Sequence, residues 1–156
     1  MLQLVRIDDR LVHGQVVVGW GSVLHFDTIL LVKEDVGEEE WEQELIRSAC
    51  PDYIDLIFED KLHYNSAIKE HETDQLKCIS LIASLDTCWE LVTNDFPVHD
   101  INVGGIHFKP DREEVLPYVY LSDEEKKLCR QIIDLGYQLI AQDLPSSPKV
   151  NLQDVL

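Results

Sequence analysis

The sequence predicts one α/β domain, spanning residues 1–156, with an open, mostly parallel sheet of about seven strands flanked by helices. Two observations support this fold class. Short apolar runs alternate along the chain with segments of helical period, which is the order expected for successive βαβ units. The length of 156 residues and the hydrophobic content of 45% suit a single domain with one substantial core.

The predicted strands are runs rich in Ile, Val and Leu, the composition expected for strands that are covered on both faces. They cover residues 2–7, 28–32, 53–58, 77–83, 100–103, 118–121 and 137–142. The tail after residue 144 has two prolines and two serines close together. We therefore expect a surface loop or a docked extension there.

Residues 38–49 show the pattern of an amphipathic helix, with three glutamates in the first turn, where the helix dipole favours negative charge. Its apolar residues recur at helical spacing: Trp41, Leu45, Ile46 and Ala49. Apolar residues between positions 60 and 75 suggest a short helix there. We expect both Trp41 and Trp89 to lie in the core.

Capping residues mark the later helices. Ser84 or Asp86 can cap a helix that follows the fourth predicted strand. Ser122 and Glu125 have the spacing of a capping box, in which each side chain satisfies a backbone N–H of the other. The helix that they open is predicted to end at Gly136, in a left-handed conformation.

The charge balance limits the possible partners. Thirteen Lys and Arg against thirty Asp and Glu give a net charge of −17. Nucleic acids and anionic membranes bind through basic residues, so the chain is not expected to bind either of them. No apolar run reaches the length of about 20 residues that spans a bilayer, and the first residues lack the pattern of a signal peptide. We expect a cytoplasmic protein.

The cysteines and histidines show no metal-binding pattern. The four cysteines are far apart in the sequence and could form two disulfides, but reduced, buried thiols fit a cytoplasmic domain of this size better. They are Cys50, Cys78, Cys88 and Cys129. The six histidines lack zinc-ligand spacing. We therefore expect neither a metal nor a cofactor.

The segment that follows the first strand is rich in groups that bind or carry phosphate. Residues 6–15 read Arg-Ile-Asp-Asp-Arg-Leu-Val-His-Gly-Gln, at the carboxyl end of a strand, where parallel sheets bind ligands. A neutral imidazole at His13 can attack phosphorus. The helix that starts near Gly14 favours an anion, and Arg10 can contact two phosphoryl oxygens at once.

The remaining polar residues of this segment have supporting roles in the same interpretation. Arg6 and Gln15, together with Gly14, are predicted to bind the phosphoryl group. Asp8 or Asp9 can orient the loop by holding Arg10 or by selecting the tautomer of His13. A purely structural interpretation is also open: one of Asp8 and Asp9 then caps a helix beside a solvated neighbour, and Arg6 closes a salt bridge at the end of the strand.

The string from residue 6 to residue 16 closely resembles the signature loop of the mannose/fructose/sorbose family of phosphotransferase-system IIB subunits. Weaker similarities follow in the family's order, at Trp20, Asp35, 102–107, 121–125 and 142–145. The resemblance implies that His13 is the phosphorylated residue, through Nδ1, and that Arg10 assists the transfer. It further implies that the phosphoryl group comes from a phosphorylated IIA protein and passes to a sugar bound by membrane IIC and IID subunits.

Two other functions are compatible with parts of this pattern. A regulatory module, whose phosphorylation state is read by a protein partner without sugar transport, would have the same loop. A receiver-like domain would bind Mg²⁺ through the acidic pair after the first strand. It would also need an acceptor aspartate at the end of the third strand and a lysine after the fifth, whereas Asp55 lies inside its predicted strand and Lys109 lies beyond the Gly-Gly turn.

Overall fold

Strands and helices alternate along most of the chain in a computed structural model that describes residues 1–156. The strands are β1 (Leu2–Asp8), β2 (Thr28–Val32), β3 (Asp55–Glu59), β4 (Cys78–Ile82), β5 (Asp100–Gly105), β6 (Glu113–Leu116), β7 (Val119–Leu121), β8 (Gln138–Ala141) and β9 (Val150–Asn151). The α-helices are α1 (Gly21–Leu24), α2 (Lys33–Val36), α3 (Glu40–Ser48), α4 (Lys61–Thr73), α5 (Leu85–Val92) and α6 (Asp123–Asp134). A π-helical turn, Gln15–Trp20, leads directly into α1.

The main sheet has seven strands in the order β3-β2-β4-β1-β5-β8-β9, and only β9 runs antiparallel to its neighbour. The predicted fold class is therefore confirmed. Its strand list needs one correction: residues 119–121 form a strand, but β7 pairs with β6 in a separate hairpin. The seventh strand comes instead from the tail, where β9 has only two residues and is too short to show a strand period.

Helices cover both faces of the sheet, as expected for strands of nearly continuous apolar composition. On one face α4, α5 and α6 pack onto the larger core, to which Tyr64, Cys88 and Ile132 contribute. On the other face the segment after β1 packs with α3, and its buried residues include Leu11, Val12 and Trp20.

The apolar face of α3 is less buried than its period indicates. Trp41 is 65% exposed, and Leu45 is exposed as well, so the prediction that Trp41 lies in the core is wrong. Only Ile46 of this helix packs against the core. Helical spacing identifies which residues share a face, but it does not show how much of that face the neighbouring layer covers. Trp89, in contrast, packs against the larger core.

The caps of the later helices form as predicted. The Ser84 side chain accepts a hydrogen bond from the backbone N–H of Thr87 at the start of α5. Ser122 and Glu125 form both bonds of a capping box at the start of α6. Gly136 follows α6 with φ +94°, a conformation that glycine adopts without strain.

All four cysteines are free. Cys78, Cys88 and Cys129 are buried, and burial raises the pKa of each of these thiols, that of Cys78 to about 11. These three thiols are therefore poor nucleophiles.

Among the helices, none combines the length and the apolar composition that crossing a bilayer requires.

The order of the strands places a topological switch point at the carboxyl ends of β1 and β5. These two strands are neighbours, but the chain leaves β1 toward β2 on one side and leaves β5 toward β8 on the other. Connections that diverge in this way open a gap above the sheet, which is where open α/β sheets bind ligands. The loops after β1 and β5 lie at this point and are hydrogen-bonded to each other.

Candidate functional site

The loop after β1 is a tight turn that is anchored in the core. The backbone N–H of Leu11 donates to the carbonyl of Asp8 at 3.0 Å, and Leu11 has φ 55°. This left-handed conformation costs a non-glycine residue roughly 1–2 kcal/mol. Leu11 and Val12 are both buried, which offsets the strain. The turn therefore presents Arg10 and His13 on either side of an apolar anchor.

Four donors converge on the fully buried carboxylate of Asp8. Its Oδ2 accepts from Nη2 of Arg6 at 2.9 Å and lies 3.0 Å from Nε2 of His13. Its Oδ1 accepts from the backbone N–H of Arg10 at 3.1 Å and from Nε of Arg10 at 3.3 Å. Burial by itself raises the pKa of Asp8, but the hydrogen bond to His13 and the charge of Arg6 outweigh it and lower the pKa to about 2.

The ionised state of Asp8 determines the tautomer of His13. A carboxylate has no proton to donate, so Nε2 of His13 must carry the hydrogen of the 3.0 Å bond. In the neutral ring, Nδ1 then holds the lone pair, and Nδ1 makes no hydrogen bond within the chain. The hydrogen bond to Asp8 holds the ring in one orientation. The His13 side chain is 16% exposed, so solvent reaches it only in part.

Arg6 does not fit the phosphate contact that the sequence predicted for it. Its side chain is fully buried beneath the loop. Besides Asp8, its guanidinium donates to Oδ1 of Asn102 at 2.7 Å and to the backbone carbonyls of Gln142 at 3.0 Å and Asp143 at 3.1 Å. A donor group engaged in this way inside the protein holds Asp8 and cannot reach a phosphoryl group on His13. The salt-bridge alternative is the one that the geometry supports.

Arg6 is accommodated by its neighbours in the adjacent strand and in the helical turn. A Cβ at Gly104 of β5 would lie only 1.7 Å from Cζ of Arg6, so a side chain there would displace the guanidinium. The ring of Trp20 covers the other side, 5.6 Å from Cζ. Burial lowers the pKa of Arg6, and the ion pair with Asp8 counteracts that effect. Sequence reasoning missed these partners of Arg6, because only the Gly-Gly pair at the end of β5 hinted at a close approach.

Arg10, Gly14 and Gln15 lie at the outer side of the loop. The Arg10 side chain is 38% exposed, and its Nη2 donates to Oε1 of Gln15 at 2.8 Å. A Cβ at Gly14 would meet no protein atom within 4 Å. The backbone N–H groups of Val16 and Val17 both donate to the carbonyl of His13. The N–H groups of Gly14 and Gln15 come before these first helical hydrogen bonds, where a helix leaves its N–H groups without an intrahelical acceptor. An anion beside His13 would find these donors.

Asp9 has a different role from Asp8. Its carboxylate forms no hydrogen bond with the side chain of Arg10 or of His13 and instead accepts the backbone N–H of His107 at 2.8 Å. The other oxygen is hydrogen-bonded to Nδ1 of the His107 ring. Because the two residues are 98 positions apart in the chain, the sequence offered no signal that would join them.

Asp35, the acidic residue after β2, is structural in this geometry. It accepts the backbone N–H of Ala83 at 2.7 Å and the hydroxyl of Thr87 at 2.5 Å, and so ties α2 to the start of α5. Burial raises its pKa. The receiver-like arrangement does not form, because Asp55 is the first residue of β3 and therefore lies at the opposite edge of the sheet.

Comparison with known proteins agrees with this geometry. The sequence profile of the family described as PTS system sorbose subfamily IIB component matches residues 2–156. The chain belongs to this family. IIB components of the phosphotransferase system act as phosphotransferases, which places the protein among the transferases.

Individual relatives show the same similarity over nearly the whole chain. The chain is 26% identical to the fructose-specific EIIB component of Bacillus subtilis, over 98% of this chain and 94% of that protein. The crystal structure of the IIB domain of the sorbose permease from Klebsiella pneumoniae has a TM-score of 0.85 at 25% identity, over 99% and 94% of the two chains. The N-acetylgalactosamine-specific IIB component 1 of Escherichia coli has a TM-score of 0.84 at 27% identity, over 96% and 97%.

Proposed function

We propose that residues 1–156 form one IIB domain that carries a phosphoryl group on Nδ1 of His13. The observation that supports this most strongly is the hydrogen bond between Nε2 of His13 and Asp8. Because Asp8 is ionised, its carboxylate keeps the hydrogen on Nε2 and the lone pair on Nδ1. The nucleophile is thus prepared before a donor arrives, and no base has to remove a proton from the ring.

Acceptance of the phosphoryl group then needs no proton transfer. Nδ1 of His13 attacks the phosphorus of a phosphohistidine on a IIA partner, the new N–P bond forms, and the donor nitrogen leaves with its electron pair. Asp8 stabilises the positive charge that develops on the His13 ring as the bond forms. The negative charge on the phosphoryl oxygens has to be met by donors outside the ring.

Arg10, Gly14 and Gln15 are the donors proposed to hold those oxygens. Two bonds, to Asp8 and to Gln15, hold the Arg10 side chain in place, and its Nη1 makes no hydrogen bond within the chain. The backbone N–H groups of Gly14 and Gln15 add donors at the start of the helical turn. In phosphoryl transfer such positioning and charge stabilisation account for most of the catalysis, and no metal or cofactor is required by these groups.

Delivery reverses the first step with a different acceptor. A sugar hydroxyl attacks phosphorus, the bond to Nδ1 breaks, and the hydroxyl proton is released, so that His13 returns to its neutral form. We propose that this sugar is bound by membrane IIC and IID subunits and that the chain works in the cytoplasm at the permease. A mannose-specific EIIAB component of Escherichia coli aligns with the whole chain over 48% of its own length. Its name joins IIA and IIB, which supports a IIA partner here.

Phosphorylation from labelled phosphoenolpyruvate, through the general carrier proteins and a IIA protein, tests this proposal. The label is expected on wild type as an acid-labile, base-stable phosphohistidine, and it is expected to be absent from His13→Ala. His63→Ala is the matched control, because His63 is also bonded to an aspartate, Asp60, at 2.8 Å. Undiminished labelling of His13→Ala would refute the proposal. Loss of the label when sugar and membrane subunits are added distinguishes transport from a purely regulatory module.

A further inference from the structure

His107 is unusually well fixed for an exposed residue. Its side chain is 49% exposed, yet its ring is hydrogen-bonded through Nδ1 to Asp9. Its backbone N–H donates to the same carboxylate at 2.8 Å, and its carbonyl accepts from Nη1 of Arg112 at 2.7 Å. Holding an exposed side chain in one orientation costs conformational entropy. Here one hydrogen bond holds the ring and two hold the main chain of the same residue, which indicates a role for that orientation.

The contacts of His107 join two loops that lie far apart in the sequence. Asp9 belongs to the loop after β1, and His107 belongs to the connection between β5 and β6. The backbone N–H of Asp9 also donates to the carbonyl of Gly105 at 3.0 Å, so Asp9 is held at both its main chain and its side chain. The exposed pair of His63 and Asp60 differs, because it lies within one helical turn and joins no separate elements.

A rigid element supports the connection that carries His107. The guanidinium of Arg112 donates two hydrogen bonds to the carboxylate of Glu125, at 2.8 Å from Nε and at 2.5 Å from Nη2. Glu125 is part of the capping box that opens α6. A bidentate pair of this kind has a defined geometry, so His107 is positioned relative to α6 and to the sheet.

We infer that His107 is a positioning residue for phosphoryl transfer, acting through Asp9 on the loop that carries His13. The inference rests on the proposed function. Asp9 lies between Asp8, which holds His13, and Arg10, and the strained turn at Leu11 follows at once. The hydrogen bonds of Asp9 attach it to the connection after β5. They thereby keep the neighbouring Asp8 and Arg10 in position relative to His13. The ring of His107 supplies the part of that attachment that a side-chain substitution removes, at Oδ1 of Asp9. The backbone N–H of residue 107 and Nη1 of Arg112, 4.0 Å away, still hold Oδ2. Loss of the ring bond leaves the carboxylate and the strained turn beside it less constrained.

The expected effect of His107→Ala is a slower transfer step with an intact fold. A small displacement of catalytic groups can cost about 10²-fold in rate, and we expect the rate of transfer from a phosphorylated IIA protein to fall roughly 10-fold or more. The fall is expected in kcat rather than in KM, because the docked partner is bound but the reacting groups are misaligned. The thermal unfolding midpoint is expected to change little, since the pair is exposed.

His107→Asn separates positioning through Nδ1 from a direct role of the ring. The asparagine amide nitrogen takes the place of Nδ1 and can still donate to Asp9, whereas Nε2 is removed. We expect His107→Asn to transfer at nearly the wild-type rate while His107→Ala is slow. His63→Ala is again the matched control. A wild-type rate for His107→Ala would overturn the inference, and so would an asparagine variant as slow as the alanine variant, because the latter would assign the role to Nε2.

The same experiment distinguishes failure of the inference from failure of the proposed function. If wild type takes no label on His13, the proposed function is wrong and the positioning role falls with it. If wild type is labelled and all His107 variants match it, only the positioning role is wrong. A parallel fall in rate and in unfolding midpoint for His107→Ala would show a general structural role and would also overturn the inference.

Discussion

At the residue scale, the electrostatics of the site centre on Asp8, which is ionised although it is fully buried. It connects a buried cation, Arg6, with the ring of His13 and the more exposed Arg10. Transferring an ionised carboxylate from water into the protein interior costs free energy, and the hydrogen bonds to Arg6, His13 and Arg10 offset that cost. Arg6 is therefore linked to His13 through Asp8.

The low pKa of Asp8 predicts a loss of stability in acid. The folded-state pKa is about 2, against 3.8 for an ordinary aspartate, so the ionised carboxylate stabilises the fold above pH 3.8 and this contribution is lost as the pH falls toward 2. A shift of this size corresponds to about 2 kcal/mol of the free energy of unfolding. The carboxyl carbon shift of Asp8, followed by NMR, is expected to titrate near the lower value. A midpoint at the ordinary value would show that the three partners do not hold the charge.

Replacement of Arg10 by lysine distinguishes catalysis from surface pairing. Arg10→Lys is expected to leave the free energy of unfolding within about 1 kcal/mol of wild type, because the side chain lies in an exposed part of the loop. Lysine cannot make a two-pronged contact with phosphoryl oxygens, and losing one transition-state donor costs about 10²–10³ in rate. Rapid-quench transfer from a phosphorylated IIA protein measures the change. A loss of less than about fivefold would mean that Arg10 is only a structural partner of Asp8.

At the scale of elements, the site depends on the close approach of β1 and β5. Two residues of β5 lie opposite Arg6 of β1. Asn102 accepts a hydrogen bond from its guanidinium, and Gly104, which has no side chain, leaves room for it. The loops after the same two strands are joined by Asp9 and His107. The two strands thus hold Arg6 beneath the site, and the loops that follow them are held to each other beside it.

The two glycines near the site are predicted to respond in opposite ways to alanine. A Cβ at Gly104 would overlap Cζ of Arg6, whereas a Cβ at Gly14 would meet nothing within 4 Å. Overpacking costs about 1–3 kcal/mol, and here it also disturbs the ion pair with Asp8. Gly104→Ala is therefore expected to destabilise the protein by at least that amount in urea unfolding. Gly14→Ala is the control and is expected to be neutral or slightly stabilising, and equal effects would contradict the close approach.

Sequence reasoning succeeded at this scale where the information is local. The capping box of Ser122 and Glu125 and the glycine at the end of α6 are read within a few residues, and both form as expected. The exposure of Trp41 could not be read in this way, because it depends on how far the next layer extends over α3. The two-residue strand β9 is defined by its pairing with β8 and not by its own composition.

At the scale of the whole molecule, the topology brings distant segments to one edge. Asp8, Arg10 and His13 lie within six consecutive residues, so the core of the candidate site could be predicted from the loop alone. Asn102 lies in β5, His107 follows that strand, and the carbonyls that hold Arg6 follow β8. Only the strand order places these groups beside β1. The net charge of −17 gives the protein a negative overall electrostatic field. The hydrogen-bond donors of the loop are a local exception to it.

The position of the phosphoryl group on the ring of His13 tests the proposed chemistry most directly. Protein labelled with ¹⁵N in its histidines and phosphorylated through a IIA protein gives ring-nitrogen shifts and couplings to phosphorus that identify the substituted nitrogen. Because Asp8 holds the hydrogen on Nε2, substitution is expected on Nδ1 of His13, with Nε2 still protonated. A phosphoryl group on Nε2, or on any residue other than His13, would contradict the proposed chemistry.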